Sequence, residues 1–381
     1  MTDREATTAA FEEGLEDIVA ATSSICFIDG IQGRLIYRGY GIHELAERST
    51  FEETAYLLWN GALPSFSQLN TFSSQLIQNR GVPDPVYSML RASPKSAHPM
   101  SVLRSAVSFL GLRDPEADDN TPEANKRKAL RLLAQMPVVV TTYHRLRKGL
   151  TPVSPSSSLG HAGSFLYMLN GTKPEKRQER IFDVCLILHA DHEFNASTFA
   201  ARVTAATLSD MYSAVTSALG ALKGPLHGGA NEFVMRMLLE IGEISNVDEY
   251  IHTALAAKKK ISGFGHRVYK TEDPRATVLR KMSKELGERT GNLRWYEMST
   301  KIQRIMKEEK HLYPNVDFYS ASVYYMLGIP IDLFTPIFAI SRISGWAAHI
   351  LEQYEHNRLI RPLAEYTGPL DLHYEPIEKR S

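Results

Sequence analysis

STFEETAYLLWNGALPSFSQLNTFSSQLIQNRG, residues 49–81, carries the reading of the fold. Within it Ser49 and Glu52 predict a capping box ahead of FEETAYLLWNG, with Gly61 as the stop. Ser65 and Gln68 repeat the device ahead of a second helix that ends at Gly81. Two helices are thus bracketed by their own punctuation. Downstream, Thr121 as N-cap and Pro122 at the first helical position open a long segment to Gly149, with Pro137 inside it as a kink or break. Further helical stretches are expected at about 175–190, 195–221, 229–241, 247–259, 274–290, 294–310, 316–328 and 331–355. Upstream lies the only convincing sheet signal: SICFID and RLIYRGY flank a turn containing Gly30 and Gly33 and can pair as a hairpin. The count predicts an all-α protein with a short N-terminal β-hairpin.

The chain has 381 residues, enough for two domains and a large apolar core. Lys and Arg total 43, as do Asp and Glu, so no net field recruits nucleic acid or an anionic membrane, and any anion site must be local. At 43% hydrophobic and 23% charged residues, most of the chain is expected to fold. Cys26 and Cys185 are too few for a disulfide framework and lack the spacing of a zinc or redox motif. The acidic start MTDREATTAAFEEGLED does not suit a secretion signal, and the apolar-rich uncharged run Phe318 to Ile331 is too short to span a membrane. The expectation is a soluble cytoplasmic protein. P-loop and dinucleotide fingerprints are absent, TPVSPSSSLG at 151–160 reads as a surface connection, and GPLHGGANE marks a domain boundary or hinge.

Five segments could carry chemistry. HADHEFNAS sets His189, Asp191, His192 and Glu193 at the end of an apolar run; a metal site is one reading and a hydrogen-bonded structural or substrate-binding pair the other, since the histidines are spaced i, i+3. GPLHGG holds His227 between residues that allow close backbone approach, so it is either a turn histidine or a ligand contact. KKKISGFGHRVYKTEDPR gathers Lys258, Lys259, Lys260, His266, Arg267, Lys270 and Arg275 around two glycines. Asp273 and Pro274 read there as N-cap and first helical residue, so Arg275 opposes the helix dipole, a conflict that a bound anion would relieve; the alternative is a solvated basic loop. Asp317 in YPNVD is either a plain helix-start residue or, in a dry pocket, a strengthened base. Arg342 lies in the apolar stretch LFTPIFAISRISGWAAHI, where a guanidinium needs a path to solvent or an anionic partner, while nothing local singles out Arg361.

Taken together, these segments resemble citrate synthase. GFGHRVYKTEDPR is similar to the family's signature loop, and HADHEFNAS, GPLHGGANE, YPNVD, the SRISGW stretch and the late IRP correspond to its other site segments. The resemblance implies an all-α homodimer with a large helical domain from residues 1–228 and 329–381 and a small domain at 229–328 that binds coenzyme A and closes by a hinge. It implies the condensation of acetyl-CoA, oxaloacetate and water to citrate and CoA. Asp317 would then be the base that takes a methyl proton, His227 the donor to the thioester carbonyl, and His266 the group that polarises the ketone. Arg275, Arg342 and Arg361 would hold the oxaloacetate carboxylates, Arg361 reaching in from the other subunit, with His192 a further contact and Asn195 and Ser197 in support. Lys260, Ile261, Gly263, Gly265, Lys270, Lys310 and Asn315 would receive coenzyme A as a substrate, with no cofactor bound permanently and no metal. HADHEFNAS is one residue shorter than the eukaryotic form of the motif and resembles the bacterial and archaeal branch. The chain also lacks the N-terminal extension that accompanies NADH inhibition in larger bacterial members, so that regulation is not expected. The close rival is 2-methylcitrate synthase acting on propionyl-CoA; more distant ones are a metal-dependent hydrolase built on HADHE and a non-catalytic helical interaction protein.

Overall fold

A computed structural model describes residues 12–15 and 18–380. Most of the N-terminal stretch read against a secretion signal therefore lies outside the described residues. The hairpin forms as expected: β1 (Cys26–Asp29) pairs antiparallel with β2 (Arg34–Tyr37), Phe27 opposite Ile36, and β3 (Tyr40–Gly41) adds to the far edge of β2. Its turn is tied by the Asp29 carboxylate, which accepts the N–H groups of Ile31 and Gln32 at 3.0 and 2.8 Å. Gly33 takes the left-handed φ of 65° that returns the chain.

Helices account for most of the rest. Five precede the long central ones: α1 (Ile42–Arg48), α2 (Phe51–Asn60), α3 (Phe66–Gln78), α4 (Asp84–Ala92) and α5 (Pro99–Arg113). Next come α6 (Pro122–Arg147), α7 (His161–Asn170), α8 (Lys176–His189), α9 (Ala196–Ala205), α10 (Met211–Leu222), α11 (Ala230–Ile241) and α12 (Val247–Ala256). The last four are α13 (Pro274–Thr290), α14 (Arg294–Lys310), α15 (Val316–Met326) and α16 (Phe334–Glu355). Ser65 and Gln68 make the full capping box of α3, and Gly61 closes α2 in the left-handed conformation.

Four local expectations need correction. The cap of α2 is Thr50, whose hydroxyl accepts the N–H of Glu53, because Ser49 is already taken as the C-cap of α1. Helix α3 ends at Asn79, whose side-chain amide donates to the Gln75 carbonyl at 2.8 Å, two residues before Gly81. The expected 195–221 helix is two, because Asp210 caps α10 afresh by accepting the Ser213 N–H at 3.0 Å. Pro137 breaks nothing: α6 runs through it, buried from Leu132 to His144.

Helix α16 is the axis of the molecule. Every residue from Phe334 to Ile350 is buried, as an apolar helix with no wet face must be, and α2, α6, α8, α9 and α10 surround it. A second group forms around α15, with α11 and α13 packed on it and α12 against α14. The site described below lies where these two groups meet. Among the described residues no helix is long and apolar enough to cross a membrane.

Candidate active site

The floor of the site is the end of α8 and the loop that follows. His189 Nδ1 donates to the Cys185 carbonyl at 2.8 Å, one turn back. Asp191 is pinned from both sides: its carbonyl accepts the Tyr37 hydroxyl from β2 at 2.7 Å, and its Oδ2 stands 3.3 Å from His349 Nε2 on α16. Burial pushes that carboxyl up, but His349 and Arg342 outweigh burial and hold it below the usual range. His192 is buried with Nε2 3.3 Å from the Tyr269 hydroxyl. Burial first, then the charges of Arg275, His266, Arg342 and His227, depress its pKa well below the usual value, so it is neutral. These side chains turn to separate partners. No group of three or more His, Cys, Asp or Glu among the described residues is placed to hold a metal ion.

His227 sits in the non-helical turn between α10 and α11, where GPLHGG cannot continue a helix. Its Nε2 lies 2.8 Å from the Ser197 hydroxyl and 3.3 Å from the Ser197 amide, at the start of α9. The amide can only donate, which assigns the ring proton to Nδ1. Ser197 is itself held by the Asn195 side chain at 2.8 Å and by Trp346 Nε1 at 3.1 Å. Burial, then Arg342, lowers the His227 pKa to about 4.

The opposite wall is the loop before α13, locked onto the start of α15. Gly265 N–H donates to the Tyr313 carbonyl at 3.0 Å, and the Asn315 amide and side chain donate to the Gly263 and Gly265 carbonyls at 2.9 and 3.0 Å. Gly263 and Gly265 have φ of 83° and 78°, and a Cβ on Gly263 would stand 2.8 Å from both Phe318 and Val234. Only glycine fits there. The same loop is held from the N-terminal side, where the Gly30 carbonyl accepts the Lys270 N–H at 2.8 Å and a Cβ on Gly30 would meet the Val268 carbonyl at 2.2 Å. His266 Nδ1 accepts the N–H groups of Val268 and Tyr269 at 3.0 and 3.2 Å, so its proton is on Nε2. Burial, then Arg275, lowers its pKa to about 4.

Arg275 and Asp273 form a buried fork, with Nε to Oδ1 at 3.0 Å and Nη2 to Oδ2 at 2.7 Å. The cap of α13 thus answers the dipole conflict that the sequence assigned to a bound anion. Arg342 differs. It is 1% exposed, its Nε donates to the His189 carbonyl at 2.7 Å, Phe338 lies under its plane, and Nη1 has no hydrogen-bond partner among the described residues. Asp317 is buried, its N–H held by the Asn315 side chain at 3.0 Å, and its Oδ1 has no hydrogen-bond partner among the described residues. Burial pushes the carboxyl up to about 7; Asp273 adds to this, and Arg275 and Arg342 oppose it.

The structure therefore gathers His192, His227, His266, Arg275, Arg342 and Asp317 around one polar interior. Of the residues expected to meet coenzyme A, Gly263, Gly265 and Asn315 form the locked loop and Ile261 is buried beside it, while Lys260, Lys270 and Lys310 are exposed. Arg361 is not brought in by its own chain: it stands exposed in the stretch after α16. Sequence reasoning passed over Tyr37, Tyr269 and Trp346. Trp346 carried a signal, since it and His349 follow Arg342 at helical spacing on one face of α16.

Neutral imidazoles with assigned protons, a buried carboxyl of raised pKa and a buried arginine with one nitrogen unpartnered among the described residues suit removal of a proton next to a carbonyl and attack on a ketoacid. Comparison with known proteins points the same way. The family model for the citrate synthase C-terminal domain matches residues 14–363. Citrate synthase 2 of Bacillus subtilis is 56% identical over 369 residues, 97% of this chain and 99% of that one. The 2-methylcitrate synthase 2 of Corynebacterium glutamicum is 43% identical over 380 residues, 98% of this chain and 99% of that one. The structure of the Thermoplasma acidophilum citrate synthase in ternary complex with carboxymethyl coenzyme A and oxaloacetate superposes with a TM-score of 0.93 at 34% identity, covering 98% of this chain and all of that one. With its all-α fold of a large and a small helical domain and sequence similarity along nearly its whole length, the chain belongs to the citrate synthase family of acyltransferases.

Proposed function

We propose that the protein condenses acetyl-CoA with oxaloacetate and water to give citrate and CoA. The observation that carries this reading is Arg342, a guanidinium deep in the core with one nitrogen lacking a partner among the described residues. A buried cation with spare donors is costly alone and favourable once a carboxylate forks onto it. Oxaloacetate supplies two carboxylates and a ketone. Arg342 and Arg275 hold the former, with His192 a further contact, and His266 Nε2–H faces the latter.

The thioester enters beside Asp317. Its carboxylate removes a methyl proton as His227 Nδ1–H donates to the thioester carbonyl, so the developing enol is stabilised by a neutral donor. The enol carbon then attacks the ketone carbon polarised by His266, and water cleaves the citryl thioester. Coenzyme A lies along Lys260, Ile261, Gly263, Gly265 and Asn315, with Lys270 and Lys310 exposed for its phosphates. The domains divide at residues 1–228 with 329–381 and 229–328, and their closure over oxaloacetate excludes water until the carbon–carbon bond has formed.

The active unit is a homodimer. Leu359, Leu363, Leu370 and Leu372 are 59%, 86%, 73% and 77% exposed in the stretch that carries Arg361, far more apolar surface than a free chain end keeps in water. Laid on a second copy, that stretch is covered and its Arg361 can complete the oxaloacetate site of the partner.

The test is release of free thiol from acetyl-CoA, with and without oxaloacetate, run beside propionyl-CoA. Oxaloacetate-dependent release with acetyl-CoA the better substrate is expected. Preference for propionyl-CoA would make the protein a 2-methylcitrate synthase with the same machinery, since one methyl changes pocket fit by only about 1–3 kcal/mol. Absence of release with either thioester would refute both.

A further inference from the structure

Tyr324 follows Asp317 by seven residues on α15. In an α-helix that spacing returns to within about 20° of the same face, ~10.5 Å along the axis. Helical side chains lean toward the N-terminus, so the long ring of Tyr324 leans back along the nearly two turns that separate it from Asp317. Only Ser320 and Ala321 share that face between them, both small, and the Ser320 hydroxyl is turned onto the Asp317 carbonyl at 3.2 Å.

Three buried polar atoms in this corner have no hydrogen-bond partner among the described residues: the Tyr324 hydroxyl, Asp317 Oδ1 and His189 Nε2. The His189 and Tyr324 rings are 6.1 Å apart between centroids. His189 gives its Nδ1 proton to the Cys185 carbonyl, so Nε2 is an acceptor. Burial pushes the phenol pKa well above its ordinary value, with the charges of Cys185 and Asp317 adding to the effect, so the hydroxyl keeps its proton. One donor and two acceptors thus share one corner.

We propose that Tyr324 is a positioning residue for the base Asp317, its hydroxyl holding the inner carboxylate oxygen through one water while the outer oxygen faces the acyl methyl group. This rests on Asp317 being the base, as proposed above. A carboxylate anchored at one oxygen cannot turn about its terminal torsion, so the other oxygen is aimed when the thioester arrives. No proton leaves Tyr324. The methyl proton passes to the outer oxygen of Asp317, and the C–H electron pair becomes the enol double bond.

Other groups set the background against which Tyr324 acts. Asp273 and Arg275 act on Asp317 from α13 and its cap, and Arg342 from α16. Helix α11 presents Asn231 and Glu232, the latter bonded to Thr335 at 2.7 Å. Gln303 of α14 is engaged by Tyr319, and Asp332, in the turn before α16, by Arg147. On α8, Cys185 and His189 face Tyr324.

The experiment compares wild type, Asp317→Asn, Tyr324→Phe and a variant with 3-fluorotyrosine at 324, all full length, by thiol release across pH. Tyr324→Phe is expected to lose about tenfold in kcat with KM for oxaloacetate unchanged, the loss of one hydrogen bond to a charged group. Its acid limb of kcat/KM should move up by about one pH unit, because the lost donor favoured the ionised form. Fluorotyrosine, a stronger donor of nearly the same shape, should move that limb down. Active wild type and dead Asp317→Asn, with acid limbs unmoved in both Tyr324 variants, would overturn the role of Tyr324 while leaving the base in place. An inactive wild type, or an active Asp317→Asn, would overturn the base assignment and this proposal with it.

Discussion

Replacing Asp317 by Asn should abolish condensation and, above neutral pH, make the free protein more stable. The native carboxyl keeps its proton up to about pH 7 because burial disfavours the charge, whereas an unfolded Asp loses it near pH ~3.9. Between those values the unfolded state binds fewer protons than the native state, so stability falls as pH rises through the window. Three units at ~1.4 kcal/mol each give about 4 kcal/mol of destabilisation at pH 8, roughly a third of that at pH 5 and almost none at pH 3. An amide of the same shape carries no such penalty. With an unfolding entropy of ~2.1 cal/mol/K per residue, the gain corresponds to a rise in Tm of about 5 °C at pH 8 and about 2 °C at pH 5. The assay is a thermal melt of both proteins without substrates at several pH values, paired with thiol release. A Tm difference that is absent at pH 8, or that does not shrink on acidification, would refute the reasoning from burial.

Arg342→Met should raise Tm without ligand, since a desolvated guanidinium is replaced by an apolar chain of similar length, and should erase the Tm increase that oxaloacetate gives the wild type; melts with and without oxaloacetate check both. Gly263→Ala should destabilise the locked loop and raise KM for acetyl-CoA more than for oxaloacetate, because its Cβ would meet Phe318 and Val234 at 2.8 Å with φ at 83°; steady-state kinetics read the split. Randomly mixed dimers of Asp317→Asn and Arg361→Ala subunits should recover about a quarter of wild-type activity, because half the dimers then own one intact site. If Arg361 served its own chain, mixing would recover nothing.

The helical fold was legible because its punctuation is local. The Ser65–Gln68 box, Gly61, Thr121–Pro122 and Asp273–Pro274 act within a turn or two and need no tertiary help. Helices whose ends are set by packing or by unusual caps were not legible: α5 starts after His98, whose Nδ1 accepts the Met100 N–H at 3.2 Å, in a stretch where no helix is expected from the sequence. Neighbouring candidates can also compete for one boundary, as Ser49 and Thr50 do. Local reading could nominate Asp317, His227 and Arg342, since each sits oddly in its own segment, but only the resemblance supplied their roles. Arg361 is plain locally, and the role the resemblance gives it would lie on another chain. Tyr324 carries no signal of its own in its uncharged run, and only its hydroxyl, without a partner among the described residues, distinguishes it.

The contact between Gly30 and the loop at Val268–Lys270 has a consequence for how the enzyme comes into being. A segment made early in translation must wait for one made more than two hundred residues later before either acquires its final shape. Until then the nascent polypeptide holds helices but no assembled site, and a tag or truncation that disturbs the first forty residues should damage chemistry at the far end of the gene product while leaving helical content nearly intact.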